Sequence, residues 1–84
     1  KVGLHYRVKL FPNPSQGEAE LSLDGLRATQ LALFNGQGQL LYEQPVPVGA
    51  NRQRLRLHHL PAGLYRLVLY TQNGLIIKNL VIAH

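Results

Sequence analysis

Cysteine, methionine and tryptophan are all absent from the 84 residues of this chain. Without cysteine the chain forms neither disulfides nor thiolate metal sites, and the sequence leaves its redox compartment open. Because a complete translation product normally begins with methionine, its absence predicts that the chain is a segment of a longer protein. Every apolar run is shorter than the ~18 residues that cross a bilayer, and no signal-peptide pattern opens the chain, so membrane insertion is not expected.

Acidic residues are scarce, with four Asp and Glu against nine Lys and Arg, which gives a formal net charge of +5. Such a charge balance favours polyanionic partners, for example nucleic acid, anionic lipid or acidic glycan. It is equally consistent with a role in solubility alone. The length allows one domain with one modest core, and the hydrophobic fraction of 45% is typical of a globular protein.

Helical periodicity is almost absent, and alternation of apolar and polar residues replaces it. Seven short runs alternate in this way, and turn signals flank each of them. These candidate strands are Tyr6–Phe11, Glu18–Leu23, Thr29–Phe34, Gln39–Val46, Arg52–Leu57, Leu64–Tyr70 and Leu75–Ala83. Short strands at this spacing indicate a β-sandwich or a small barrel.

The segments between these runs carry turn chemistry. Asn35–Gly38 and Gln72–Gly74 supply residues that tolerate positive φ, which predicts hairpins. Pro45–Asn51 contains two prolines that lack a donor N–H, so it is predicted to be an edge or a loop. Leu60–Gly63 is predicted to form a corner that leads into the most hydrophobic strand.

Near the start of the chain, Pro12-Asn13-Pro14 interrupts two strand-like runs. Each proline biases the residue before it toward extended geometry and prevents the ladder from continuing. Gly17 permits a left-handed exit from the turn that follows. The segment is therefore predicted to end one strand and redirect the chain into the other sheet of a sandwich.

Candidate catalytic and metal-binding groups are few. Ser15 and Ser22 are the only serines and Asp24 is the only aspartate, so a Ser-His-Asp set has negligible support. His58 and His59 are adjacent in a strand-rich chain, where neighbouring side chains point to opposite faces, so they do not easily share one ion. We expect no enzymatic activity, no cofactor and no metal.

A basic stripe is predicted on one strand, where Arg52, Arg54 and Arg56 alternate with other residues and project from one face. Three guanidinium groups could contact phosphates or sugar acids. The favoured interpretation is a solvated face that discourages edge-to-edge association, because nucleic-acid-binding domains usually add exposed aromatic residues to such a stripe. We therefore expect no nucleic-acid partner.

Three longer stretches, "LFPNPSQGEAELSL", "LALFNGQGQLLYEQ" and "LRLHHLPAGLYRLVLYTQNGLIIKNLVIAH", together resemble the C-terminal sorting domain of proteins exported by the bacterial type IX secretion system. The resemblance covers nearly the whole chain, with the motifs in the right order. The family commonly has Asp where Asn35 stands. The residues that carry the resemblance are Pro12, Asn13, Pro14, Gly17, Asn35, Gly38, Gly63, Tyr65 and Gly74.

The resemblance implies an all-β fold, a seven-stranded antiparallel immunoglobulin-like β-sandwich spanning residues 6–84, with residues 1–5 as a linker near a cleavage point. It implies a targeting device that directs a cargo fused ahead of it across the outer membrane. The cargo would pass through the periplasm to the outer-membrane surface or the extracellular space. A sortase-like cysteine peptidase would then remove the domain, and the cargo could be joined to lipopolysaccharide.

The resemblance also suggests where the translocon is contacted. Recognition is expected at the last strand and the chain end, by backbone pairing along an edge or by capture of the terminal segment. The residues expected to take part are Lys78, Leu80, Val81, Ile82, Ala83 and His84. Two alternatives stay open: an immunoglobulin-like spacer or adhesion module of a cell-surface protein, and a nucleic-acid-binding barrel that uses the arginine stripe with Arg66.

Overall fold

The computed structural model describes residues 8–11, 17–47 and 49–83. Within these residues the chain forms seven β-strands and no helix, so there is no helical segment that could span a membrane. The strands are β1 (Lys9–Phe11), β2 (Glu18–Ser22), β3 (Ala28–Phe34), β4 (Leu40–Pro45), β5 (Arg52–Arg56), β6 (Gly63–Thr71) and β7 (Gly74–Ile82).

The strands form two antiparallel sheets, with the orders β1-β2-β5 and β4-β3-β6-β7. Three connections cross between the sheets, from β2 to β3, from β4 to β5 and from β5 to β6, while the hairpins stay within a sheet. The predicted all-β, seven-stranded antiparallel sandwich is confirmed. Pro45 is predicted to lie in an edge strand or a loop. It is the last residue of β4, which lies at an edge of the four-stranded sheet.

One hydrophobic core lies between the two sheets, and the alternation in the sequence builds it. In β2 the apolar Ala19 and Leu21 are buried, while Glu18 points outward. In β3 the core positions are Leu31 and Leu33. The four-stranded sheet contributes most of the remaining fully buried side chains, namely Leu67, Leu69, Ile76, Leu80 and Ile82. Burial of these side chains is the main term that stabilises so small a domain.

The predicted first strand is only partly described, because β1 begins at Lys9 and residues 1–7 lie outside the described part of the chain. Pro12, Asn13, Pro14 and His84 also lie outside it, as does the proposed linker of residues 1–5. Predictions about the conformation of these residues therefore stay predictions. The predicted change of sheet at Pro12-Asn13-Pro14 is wrong, because the strands on either side of it, β1 and β2, pair with each other in the same antiparallel sheet, with Leu10 opposite Leu21.

Strand register brings several turns to one end of the sandwich. Phe34 pairs with Arg66, Leu64 with Val81, and Gly63 with Ile82, so β3 and β7 end where β4 and β6 begin. The Leu57 N–H donates to the Gly17 carbonyl at 2.6 Å, which places the start of β2 at this end too. We call it the motif end and define it by Gly17, Asn35–Gly38, residues 61–63 and residues 81–83.

Candidate functional site

The turn between β3 and β4 at the motif end is organised by the side chain of Asn35. Its Oδ1 accepts hydrogen bonds from the N–H groups of Gln37 at 3.0 Å and Gln39 at 2.9 Å. Its Nδ2 donates to Gln39 Oε1 at 3.0 Å. Gly38 completes the turn with a φ of +84°, which a glycine adopts at little cost. The turn is therefore held by several local hydrogen bonds and is predicted to be rigid.

The corner before β6 is fixed by Tyr65, whose hydroxyl donates to the Pro61 carbonyl at 2.6 Å. The ring is buried with the core, so the hydroxyl bonds to the nearest backbone acceptor. Gly63 lies inside this corner, with a φ of +156° and the Tyr65 ring 3.8 Å from the position of an added Cβ. Gly63 and Tyr65 together shape one wall of the motif end.

Gly17 lies where the chain enters β2, against the exposed ring of His58. A Cβ added at Gly17 would lie 2.5 Å from His58 Nδ1, and the Gly17 φ is +119°. On the same side, His58 Nε2 is 3.7 Å from Glu18 Oε2. Only glycine fits both the backbone conformation and the close approach of the ring.

The last strand reaches the motif end with alternating exposure. Leu80 and Ile82 are 0% and 1% exposed and belong to the core, whereas Val81 is 39% exposed beside Leu64. Ala83, which follows the strand, is exposed. Lys78 is half-buried on the row that faces the core, opposite Leu67. At the motif end the last strand therefore exposes Val81 and, after it, Ala83.

The outer face of the four-stranded sheet is unexpectedly apolar. Pairs of register partners on this face are Leu64 with Val81, Val68 with Ile77, and Tyr70 with Leu75. Exposed large hydrophobic side chains on or beside it are Leu40, Leu41, Leu64, Leu75, Ile77 and Val81. The Arg66–Asn79 pair separates the apolar pair at the motif end from the two others. Exposed apolar patches on a protein surface often mark interaction sites. The sequence contains a signal for this apolar face, because β6 and β7 are near-continuous apolar runs. Such runs are typical of strands that are covered on both faces.

A cleft of about 270 Å³ opens in this face at the motif end, between the Asn35 turn and the start of β6. Its walls are mostly apolar, and one guanidinium group lies at its margin. The lining residues are Phe34, Asn35, Gly36, Gly38, Leu64, Tyr65, Arg66 and Val68. Three residues singled out in the sequence, Asn35, Gly38 and Tyr65, therefore belong to one concave site.

Residues 9–83 match the family described as "Secretion system C-terminal sorting domain". The chain belongs to this type IX secretion family. The sorting domain is also similar to the crystal structure of a DUF3244 family protein with an immunoglobulin-like β-sandwich fold from Bacteroides vulgatus ATCC 8482. That similarity has a TM-score of 0.73 at 15% identity and covers 92% of this chain and 85% of the other, so it confirms the predicted immunoglobulin-like fold alone. No curated protein matches.

The arginine stripe of the sorting domain lies on the other sheet. Arg52, Arg54 and Arg56 are exposed, and their register partners are Ser22, Glu20 and Glu18. Arg52 Nη1 is 3.1 Å from Glu20 Oε1, and its guanidinium lies 5.7 Å from the centre of the Phe11 ring. The glutamates offset part of the positive charge, as expected for a solvated face.

Gly74 lies at the opposite end of the sorting domain from the other described motif residues. It closes the β6–β7 hairpin, where Thr71 Oγ1 donates to the Gly74 carbonyl at 2.7 Å and accepts from the Asn73 N–H at 3.0 Å. Among the described residues no group of three or more His, Asp or Glu could hold a metal ion. The apolar cleft lies at the motif end, away from the Gly74 hairpin.

Proposed function

We propose that this type IX sorting domain acts as the export signal of a cargo fused ahead of it and is recognised in its folded form at the motif end. The cargo passes through the periplasm, crosses the outer membrane and reaches the cell surface or the medium. A sortase-like peptidase then cuts upstream of β1, and the cargo is joined to lipopolysaccharide or released.

One observation carries this proposal. The family motif residues Asn35, Gly38, Gly63 and Tyr65 come from two distant segments of the sequence, and they meet at the same end of the sandwich as the last residues of β7. Each turn needs its glycine or asparagine for the conformation of its own backbone. That requirement does not explain why two different turns lie beside the same cleft. A shared recognition surface accounts for the arrangement.

The test is a reporter with its own N-terminal signal peptide, fused ahead of residues 1–84 and expressed in a host with an active type IX system. We expect surface or extracellular reporter in that host and periplasmic reporter when the secretion system is disabled. The reporter without the domain is the control. Export that continues in the disabled host, or periplasmic retention in the active one, contradicts the proposal.

The role of the terminal segment needs a milder change than removal of residues 80–84, which would delete the core side chains of Leu80 and Ile82 and unfold the domain. Removal of residues 83 and 84 alone leaves the core intact. If the chain end is captured, this shorter fusion stays in the periplasm although the domain is folded. Normal export would limit recognition to the body of the sandwich.

Removal of the domain by a peptidase is tested separately. The mass of the reporter recovered from the cell surface shows whether the domain has been removed.

A further inference from the structure

The cleft at the motif end combines apolar walls with one exposed cation. Phe34, Leu64 and Val68 provide the apolar surface, and Leu64 is 58% exposed. Arg66 lies on the same outer face, where its register partners are Phe34 and Asn79. Within the described residues no carboxylate lies within ion-pairing distance of Arg66, so its guanidinium is available to a ligand.

Both rims of the cleft are fixed before any ligand arrives. Asn35 holds the β3–β4 turn through three side-chain hydrogen bonds, and Tyr65 holds the corner that leads into β6. A preformed cleft loses little conformational entropy on binding, so a short ligand segment can bind with useful affinity. A guanidinium beside an apolar pocket selects a carboxylate next to a bulky apolar side chain.

We propose that this cleft binds a loop of an export-machinery protein that presents a Leu-like side chain directly followed by Asp or Glu. The inference rests on the proposed function and specifies the partner chemistry for the same end of the domain. The apolar side chain would lie between Phe34, Leu64 and Val68, and the carboxylate would pair with Arg66.

A second copy of this chain does not offer such a loop. The chain has four acidic residues. Glu18 and Glu20 lie in a strand opposite arginines, and Glu43 lies within β4. Asp24 is on a turn, but the apolar residues near it, Leu23 and Leu26, are buried. A different protein therefore provides the carboxylate.

The first experiment measures binding to the purified domain by ¹H–¹⁵N NMR. The probe is the blocked peptide acetyl-Gly-Leu-Asp-Gly-amide, and the matched control contains Asn in place of Asp. We expect shift changes confined to the motif end, with the Asp peptide favoured and its affinity lowered about tenfold by Arg66→Gln, the loss expected for a charge-assisted hydrogen bond. Equal binding of both peptides, no binding at millimolar concentration, or shifts elsewhere would overturn the proposal.

The second experiment uses the reporter fusion with a matched pair of substitutions. Leu64 and Leu75 are 58% and 57% exposed on the same face, at opposite ends of the sheet. We expect Leu64→Ser and Arg66→Gln to lower export severalfold and Leu75→Ser to leave it unchanged, with melting curves of the purified domains as the folding check. Equal export of all three variants, or equal loss with Leu64→Ser and Leu75→Ser, overturns the cleft as the docking site.

The outcomes separate this inference from the proposed function. If the unsubstituted fusion is exported by the type IX system and the Leu64 and Arg66 variants are exported equally well, the inference fails and the proposed function stands. If the unsubstituted fusion is not exported, the proposed function fails, and with it the assignment of the loop to the export machinery. A concentration-dependent dimer that is lost on Leu64→Ser would overturn the proposal in favour of self-association.

Discussion

The Tyr65 hydroxyl donates a hydrogen bond to the backbone carbonyl of Pro61, with the two oxygens 2.6 Å apart. The bond spans the corner through which the chain leaves the three-stranded sheet and enters β6 in the four-stranded one. Immunoglobulin-like sandwiches use a tyrosine in the same way at the corresponding corner. In this protein the corner also forms a rim of the cleft, so one hydrogen bond serves both the fold and the candidate site.

Tyr65→Phe is expected to lower the free energy of unfolding by about 1 kcal/mol, because the buried ring stays and only the hydrogen bond is lost. Tyr70→Phe is the matched control, since it removes a hydroxyl from a half-buried tyrosine of the same strand. Urea unfolding of the three proteins measures the difference. Equal stability of the Tyr65 variant and the parent would contradict the structural role of the corner bond.

The β3–β4 turn depends on the Asn35 side-chain oxygen Oδ1, which accepts hydrogen bonds from the backbone N–H groups of Gln37 and Gln39. Asn35→Ala removes this acceptor and with it both hydrogen bonds, and it is expected to destabilise the domain by about 1–2 kcal/mol. Asn35→Asp keeps an acceptor in the same place. It loses the Nδ2 donor, but the Gln39 side-chain amide turns to donate its N–H to the carboxylate instead. The variant is therefore expected to be close to neutral, which agrees with the Asp that the family commonly has there. Thermal melts of both variants test this prediction. An Ala variant as stable as the Asp variant would contradict the role of the Asn35 side chain in the turn.

Gly17 is predicted to tolerate no side chain, because its φ is +119° and His58 lies against it. Gly17→Ala is expected to cost about 1–3 kcal/mol through backbone strain. Gly36→Ala is the control, since an added Cβ there would lie 3.5 Å from its nearest neighbour, the Leu64 carbonyl oxygen, in ordinary contact. Combining Gly17→Ala with His58→Ala separates the two causes, because only the contact with the ring is relieved. Full recovery in the double variant would show that the backbone conformation carries no strain.

The partly buried side chain of Tyr42 predicts that the free energy of unfolding depends on pH in the alkaline range. Burial raises the pKa of this half-buried tyrosine above its usual value of 10.0. Ionisation is therefore easier in the unfolded chain, so this contribution to stability is complete below pH 10 and is lost as the pH rises through the raised value. Urea midpoints at about pH 8 and about pH 11 should fall more for the parent than for Tyr42→Phe. The same alkaline loss in both proteins would contradict the assignment to Tyr42.

The number and positions of the strands could be predicted from local patterns, whereas their order in the sheets and the cleft could not. Alternation in β2 and β3 places Ala19 and Leu21 on one face of the first strand and Leu31 and Leu33 on one face of the second, and these residues are buried. In β6 and β7 both faces are apolar, so alternation alone did not identify which face turns toward the core. The outer face, with Leu64 and Ile77, was missed for this reason.

By itself the sequence determined the all-β class, the turns and, through its motifs, the family, because strand alternation and turn chemistry act over a few neighbouring residues. Only the tertiary structure decided that Asn35, Leu64 and Val81 lie at one end of one face. Their proximity depends on strand register, which pairs Leu64 with Val81, 17 residues later, and Phe34 with Arg66, 32 residues later. That register is selected by the joint burial of both sheets. The same burial places Leu80 and Ile82 in the core and leaves Val81 at the surface.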